Sequence, residues 1–181
     1  MTGIDVKIRL WSGLDSNGAN WGAPITVTVF GPGNEAARYM ALSIWVNSLD
    51  IHQLQGIRGI AIPPELANWP EQFVKACLDY AREKNLAKVR VRRAETLYSY
   101  GRPYVNPMLP FEARAKAAAQ ARAFMERHYD GTAKQLGFSL ETNWYVWRNA
   151  DTVSGCARAT SFLSLFRRWR KEYERPMHEL Q

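Results

Sequence analysis

Cysteine and histidine are scarce in this chain, and this scarcity argues against several kinds of site. Cys77 and Cys156 are the only cysteines, lie far apart and form no CxxC motif. The three histidines, at positions 52, 128 and 178, have no metal-ligand spacing with one another or with the cysteines. The sequence therefore predicts reduced thiols and no metal centre.

Long apolar runs and nucleotide-binding fingerprints are also missing. Apolar segments such as 60–64 fall far short of the roughly 20 residues that a membrane-spanning helix needs. The N-terminus shows no charged and then apolar leader, and there is no P-loop, Rossmann glycine motif or Gly-x-Ser-x-Gly. These patterns predict a cytoplasmic protein without a membrane span.

The positive charge is unevenly distributed along the 181 residues. The formal net charge is +7, whereas residues 88–134 alone carry ten basic and four acidic side chains, and residues 157–175 carry six basic and two acidic ones. A concentrated positive field favours a polyanionic partner, such as the phosphates of coenzyme A, RNA or DNA.

Alternation and turn residues predict the first half of the fold. Residues 6–11 and 25–30 alternate as two strands of a hairpin. Asn34 suits a helix N-cap, and residues 35–46 follow with apolar side chains at helical spacing. A further strand is predicted over residues 54–62, because the two prolines after it cannot donate to a sheet.

The second half reads as a parallel βαβ unit followed by helices. A helix over residues 70–84 begins at Pro70, and a strand over residues 88–93 follows it. Residues 98–110 predict a loop, and residues 111–128 a surface helix rich in alanine and arginine. A final amphipathic helix is predicted over residues 160–174.

A short motif near position 137 carries a family resemblance. A predicted helix ends at Leu136-Gly137-Phe138, where glycine suits a C-cap, and an aromatic strand, Trp144-Tyr145-Val146-Trp147, follows. This order resembles the closing segment of the GNAT acetyltransferase superfamily. The resemblance implies an α/β fold with a mixed central sheet, a parallel βαβ unit and helices on both faces. We expect residues 1–155 to form this domain, and residues 156–181 an additional basic amphipathic helix and tail.

The resemblance also implies a cofactor and a reaction. In that superfamily acetyl-coenzyme A lies in a V-shaped opening between the fourth and fifth strands, and its pyrophosphate binds amides at the start of the next helix. The corresponding positions here are Ile62, Asn68, Trp69 and Phe73. The glycine-containing phosphate signature is absent between residues 62 and 73. The chain is therefore expected to be an N-acyltransferase or a non-catalytic relative.

Two side chains are candidates for the proton transfers of acyl transfer. Glu95, just after the strand at 88–93, is a candidate base, and its alternative is a surface salt bridge to Arg93 or Arg102. Many GNAT members have a general-acid tyrosine five residues before the phenylalanine of Gly-Phe, where this chain has Ala133. Tyr129, one turn earlier, can substitute if the helix is shifted, and its alternative is a place at the edge of the core.

A second function is nucleic-acid binding, or a place as a subunit in a ribonucleoprotein or protein complex. The arginine-rich middle of the chain is compatible with it, because cations interleaved with aromatic rings suit single-stranded nucleic acid. The candidate residues there are Arg90, Arg92, Arg93, Tyr98, Tyr100 and Arg102. Arg90 and Arg92 share one face of a strand and Arg93 the other, and all three can instead bind coenzyme A phosphates or local acids.

The predicted C-terminal helix adds four cations: Arg167, Arg168, Arg170 and Lys171. This helix can contact nucleic acid or anionic lipid, dock a protein partner, or simply cover the core of its own domain.

Overall fold

A computed structural model describes residues 5–10, 25–30, 36–56, 67–103 and 105–150. The strands are β1 Asp5–Leu10, β2 Ile25–Phe30, β3 Ala36–Ile44, β4 Ser48–Gly56, β5 Lys88–Arg92, β6 Ser139–Glu141 and β7 Trp144–Arg148. The helices are α1 Trp69–Glu83, α2 Tyr98–Gly101, α3 Phe111–Glu126 and α4 Thr132–Gln135. A 3₁₀ turn, Ala94–Thr96, follows β5, and a π-helical turn, Arg127–Gly131, joins α3 to α4.

These strands form one mixed sheet in the order β1-β2-β3-β4-β5-β7-β6. Four consecutive strands, β1 to β4, pair antiparallel with their neighbours, which confirms the predicted hairpin. Strands β4 and β5 pair in parallel, and α1 lies between them in the chain, so the predicted βαβ unit is confirmed. At the far side of the sheet, β7 pairs antiparallel with both β5 and β6.

The hydrophobic core lies on one face of this sheet. Alternate residues of the central strands point to it, among them Val27, Met40, Leu42, Leu49, Ile51, Val89 and Val91, all fully buried. Helix α1 covers them, because its apolar residues recur at helical spacing from Phe73 to Ala81. The thiol of Cys77 lies 3.8 Å from the sulfur of Met40.

Helices α1 and α4 pack on the same face. The Arg82 guanidinium of α1 stands 5.2 Å from the Trp147 ring, and Lys134 Nζ of α4 stands 5.9 Å from the Tyr145 ring. Trp147 and Tyr145 are the partners of Val89 and Val91 in the β5–β7 pairing, so they face the core. A helix on the other face of the sheet stays a prediction.

The predicted helix over residues 35–46 is wrong, because residues 36–44 form strand β3. Both sides of this strand are buried: Met40 and Leu42 on the core face, and Tyr39, Ala41 and Ser43 on the other. A strand that is buried on both faces loses the alternation of apolar and polar residues that identifies strands.

The predicted strand over residues 54–62 has the wrong start. Strand β4 spans Ser48–Gly56, and residues 57–66 lie outside the described part of the chain. The structure buries Asp50 in this strand. The polar residues of β4, including His52, are common in connecting segments, which is why the first part of this strand was not predicted.

Helices α1 and α4 end in the same hydrogen-bonded motif. At the end of α4, Phe138 N–H donates to Ala133 O at 3.0 Å and Gly137 N–H donates to Lys134 O at 3.1 Å. Gly137 has φ +79°, so the predicted left-handed glycine cap is confirmed. Helix α1 ends in the same way with Asn85 at φ 52°.

The other helical predictions fare differently. Helix α1 matches the predicted 70–84 closely, and none of the residues of α3 is buried, as expected for a surface helix. The predicted loop over 98–110 contains the short helix α2. Residues 151–181, with the predicted C-terminal helix and domain boundary, lie outside the described part. Among the described helices, none is long and apolar enough to cross a bilayer.

Candidate functional site

The pairing between β4 and β5 stops before β4 does. The parallel register runs from Ser48 opposite Lys88 to Ile51 opposite Val91. Strand β4 then continues to Gly56, whereas β5 ends at Arg92. Beyond Ile51, β4 therefore has no β5 partner. We name this unpaired region, beside residues 52–56 of β4, the gap.

The side chain of Tyr129 reaches this gap. Leu54 N–H, three residues beyond the last pair, donates a 2.7 Å hydrogen bond to the Tyr129 hydroxyl. Tyr129 is only 3% exposed and belongs to the core cluster. A phenolic oxygen thus satisfies a strand amide that β5 leaves unpaired.

The π-helical turn Arg127–Gly131 carries Tyr129. Such turns hold one more residue than an α-helical turn and shift the side chains that precede them around the helix axis. The carboxylate of Asp130, in the same turn, accepts a 2.9 Å hydrogen bond from Ala94 N–H just after β5. This bond fixes the turn against the end of β5, with Tyr129 directed to β4. Ala133, at the superfamily's tyrosine position, is fully buried.

The Tyr129 hydroxyl is a neutral donor at physiological pH. Burial raises its pKa above the ordinary tyrosine value, and the hydrogen bond from Leu54 opposes this only in part. The hydroxyl accepts one bond, and no contact among the described residues takes its own hydrogen. The hydrogen of this hydroxyl is therefore not used by a contact among the described residues.

Glu95 lies at the surface in the 3₁₀ turn after β5. Its carboxylate forms an ion pair with Arg93 at 2.5 Å, the contact considered as the alternative to a role as base. In the described part of the chain, no contact joins Glu95 to Tyr129. The structure therefore does not bring the two candidate catalytic residues into direct contact.

The start of α1 differs from an open phosphate site. Trp69 and Phe73 are buried, and their rings meet edge to face with centroids 5.4 Å apart. Asn68 is exposed and makes no side-chain capping bond. Glu71, in the first turn, pairs with Lys75 at 2.6 Å. Ile62 lies outside the described residues.

His128 adds an ionisable group close to α1. Its ring centroid lies 5.7 Å from that of Trp69 and 3.8 Å from that of Phe124, on which it stacks. Burial lowers its pKa, although the hydrogen bond to Phe124 O opposes this. The imidazole is thus biased to its neutral form.

Arg90 belongs to a partly buried ion pair with Asp50, which is the pairing with a local acid considered as an alternative for it. Its Nε donates to Asp50 Oδ1 at 2.6 Å and its Nη2 donates to Oδ2, while Trp45 Nε1 donates to the same Oδ2 at 2.9 Å. Asp50 is almost fully buried, and its hydrogen bonds raise the pKa of Arg90. The Arg90 guanidinium also stands 5.0 Å from the Trp144 ring. The Arg90 guanidinium is therefore already bound by side chains of the sheet.

His52 lies beside this pair at an irregularity of β4. The register to β3 shifts there, because Leu42 pairs with Ile51 and Ala41 with Gln53. His52 Nε2 lies 2.8 Å from Ser43 Oγ, and the ring meets Trp144 edge to face. Burial lowers the pKa of His52, with Asp50 acting in the opposite direction.

The other candidate nucleic-acid residues have varied surroundings. Arg92 Nε lies 3.3 Å from Thr96 Oγ1, and Arg93 is paired with Glu95. Tyr98 is largely exposed with Arg102 over its ring at 5.6 Å, while the Tyr100 hydroxyl donates to Glu126 at 2.6 Å. Among the candidates that the structure describes, Tyr98 and Arg102 alone combine exposure with an aromatic and cationic pairing free of acids. The four C-terminal cations lie outside the described residues.

Comparisons with known proteins give no further guide. No protein-family model, no curated protein and no solved structure matches this chain. Among the described residues, no group of three histidine, cysteine or acidic side chains is arranged to hold a metal ion. Function must therefore be inferred from the residues in and around the gap.

Proposed function

We propose that this chain is a GNAT-like acyltransferase that binds an acyl-coenzyme A in the gap between β4 and β5. The observation that supports this most is the hydrogen bond from Leu54 N–H to Tyr129 at the point where the two strands separate. This bond supports the proposal because it sets a protonated hydroxyl beside β4 just beyond the end of its parallel pairing. The superfamily holds its thioester between two such parallel strands joined by a helix.

In this proposal an amine nitrogen attacks the thioester carbonyl, and the carbon–sulfur bond then breaks. The leaving thiolate takes the proton of the Tyr129 hydroxyl. Burial raises the pKa of this phenol, so it is still protonated at neutral pH when the thiolate leaves. The amine loses its own proton to a base, for which Glu95 is the candidate. The phenolate then regains a proton from solvent, so that free thiol and amide are the products.

The start of α1 lacks the features that usually bind the cofactor's pyrophosphate in this superfamily. Pro70 has no amide, and Trp69 and Phe73 are buried, so few groups there can bind a pyrophosphate. Glu71 would repel a pyrophosphate, but its ion pair with Lys75 neutralises the charge of its carboxylate. We therefore expect weaker cofactor binding than a glycine loop supports.

The test combines calorimetry with a turnover assay on the full chain. Acetyl-coenzyme A is titrated into the protein, and thiol release is then followed with a panel of amines. Tyr129→Phe should bind the cofactor with little change and lose about 10²–10⁴-fold in turnover, the usual contribution of a general acid. Tyr100→Phe, which alters an exposed hydroxyl bound to Glu126, is the matched control and should retain turnover.

Two results would count against the proposal. Absence of heat at millimolar acetyl-coenzyme A would overturn cofactor binding in the gap. Binding without thiol release for any amine would retain the site and reject the reaction, which identifies a non-catalytic relative.

A further inference from the structure

Helix α3 contributes almost nothing to the core of this protein. None of its sixteen residues is buried, and its first residue, Phe111, is 78% exposed. Met108 just before it is 88% exposed, and Tyr98 of α2 is 78% exposed. Large apolar side chains are costly to leave in water, so a group of them in one segment indicates a contact surface.

Helix α2 lies along the C-terminal end of α3. The Tyr100 hydroxyl donates to Glu126, and Arg122 Nε donates to Tyr100 O at 3.1 Å. The chain then returns from Arg102 to the start of α3 at Phe111. Arg122 comes eleven positions after Phe111 on the helix, which is about 16 Å at 1.5 Å per residue. The exposed rings of Tyr98 and Phe111 are thus carried at the two ends of one α2–α3 unit.

This unit carries an excess of cations. Residues 98–127 contain five basic and two acidic side chains. Arg102 contacts Tyr98 through its ring and its hydroxyl, and Arg122 contacts the ring and carbonyl of Tyr100. In the described part of the chain, Arg114 and Lys116 make no contact with a carboxylate. The net charge here is positive, which is complementary to a polyanion.

We propose that this surface, made of Tyr98, Arg102, Phe111, Arg114 and Arg122, binds single-stranded nucleic acid. Unpaired bases stack on exposed rings without regard to sequence, and phosphates meet the arginines. An acidic protein would satisfy the charges but needs no planar rings beside them. Tyr98 with Arg102 over it is a stacking platform with a cation in place. This binding does not depend on acyl transfer.

The test measures anisotropy of a labelled twelve-nucleotide oligouridylate with the full chain at several salt concentrations. Tyr98→Ala and Phe111→Ala should each weaken binding about 5- to 100-fold, the range expected for one stacked base. Tyr98→Phe keeps the ring and should restore most of the affinity that Tyr98→Ala loses. Arg114→Gln should lower the slope of log affinity against log salt by about 0.7, the value for one phosphate that is no longer neutralised.

Control variants separate this surface from general charge. Lys75→Gln removes a cation that is already paired with Glu71 and should leave binding unchanged. Leu140→Ala truncates a half-exposed side chain of β6 and should do the same.

Three outcomes would overturn the proposal. The first is no binding at low salt. The second is binding that Tyr98→Ala and Phe111→Ala leave unchanged while changes at Arg167, Arg168 and Arg170 abolish it. The third is equal competition by polyglutamate, which would identify an acidic protein surface as the partner.

Discussion

Replacing Gly137 by alanine should destabilise the protein through the backbone alone. Gly137 closes α4 at φ +79°, and a Cβ built there meets no heavy atom within 4 Å. Steric contact with the rest of the fold therefore adds no cost. The remaining term is the cost of a left-handed L-residue, roughly 1–2 kcal/mol. A glycine that reads as a mere helix stop in the sequence thus has a measurable energetic role.

The assay is unfolding in urea and by heat, followed by tryptophan fluorescence. For a chain of this size about 1 kcal/mol corresponds to roughly 2–4 °C in Tm, so Gly137→Ala should lower Tm by roughly 2–8 °C. The dependence on urea should keep its slope, because the surface exposed on unfolding is unchanged. Gly137→Asn should fall between wild type and alanine, since asparagine tolerates the left-handed region better.

Two other glycines give matched controls. Gly101 ends α2 with open space around its Cβ position, and Gly131 has φ −61° with its nearest such contact at 3.7 Å. Alanine at either position should be neutral or stabilise by up to about 1 kcal/mol, because glycine is the poorer helix former. If all three alanine variants lose stability equally, or if Gly137→Ala loses none, the left-handed cap does not have the energetic role assigned to it.

Three further predictions concern buried polar groups. Tyr129→Phe leaves Leu54 N–H without its acceptor and should lower the free energy of unfolding by about 1–3 kcal/mol, with faster hydrogen exchange at that amide. Asp50→Asn should cost about 2–4 kcal/mol in urea unfolding, because it leaves the partly buried Arg90 without a carboxylate. Burial lowers the pKa of His52 in the folded state, whereas the histidine of the unfolded chain titrates near 6.5, so the unfolded chain binds more protons in this range. The free energy of unfolding should therefore fall as the pH drops from about 7 to about 5, and His52→Gln should make this fall smaller.

Each of these predictions has a control and a contradicting result. Tyr100→Phe, at the surface, should change the free energy of unfolding by less than about 0.5 kcal/mol. If hydrogen exchange at the Leu54 amide is unchanged in Tyr129→Phe, the hydrogen bond that supports the proposed site is not formed. Asp79→Asn, in an exposed pair with Arg82, should cost at most about 1 kcal/mol, and an equal loss in both aspartate variants would contradict a role for burial. His128→Gln should also reduce the pH slope, since burial lowers that pKa too. A slope unchanged in both histidine variants would assign the effect to other groups.

Elements with strong local signals could be predicted from the sequence. The hairpin alternates, α1 begins at a proline, and the aromatic strand β7 follows a glycine that takes positive φ. In each case the local preference and the tertiary structure agree. Strand β3 was wrongly predicted, because Ala, Met and Leu favour helices and burial on both faces removed the alternation.

The candidate site depends on contacts that no local pattern contains. Tyr129 meets Leu54 across 75 positions of the chain, through a π-helical turn that regular helical spacing does not anticipate. Asp50 and Arg90 are 40 positions apart and find each other only because β4 and β5 align in parallel register. The sequence indicated Tyr129 as a candidate, but its setting required the sheet.

The short strand β6 affects how readily this protein can aggregate through strand pairing with other chains. It is three residues long, all of them exposed, and among the described strands it forms one edge of the sheet. Edge strands carry free amides and carbonyls on which a foreign strand can grow. So short an edge presents only two or three such groups, and a strand added there gains too few hydrogen bonds to offset the entropy of ordering it. At this edge of the sheet, the short length of β6, rather than charged side chains, is what disfavours edge-to-edge aggregation.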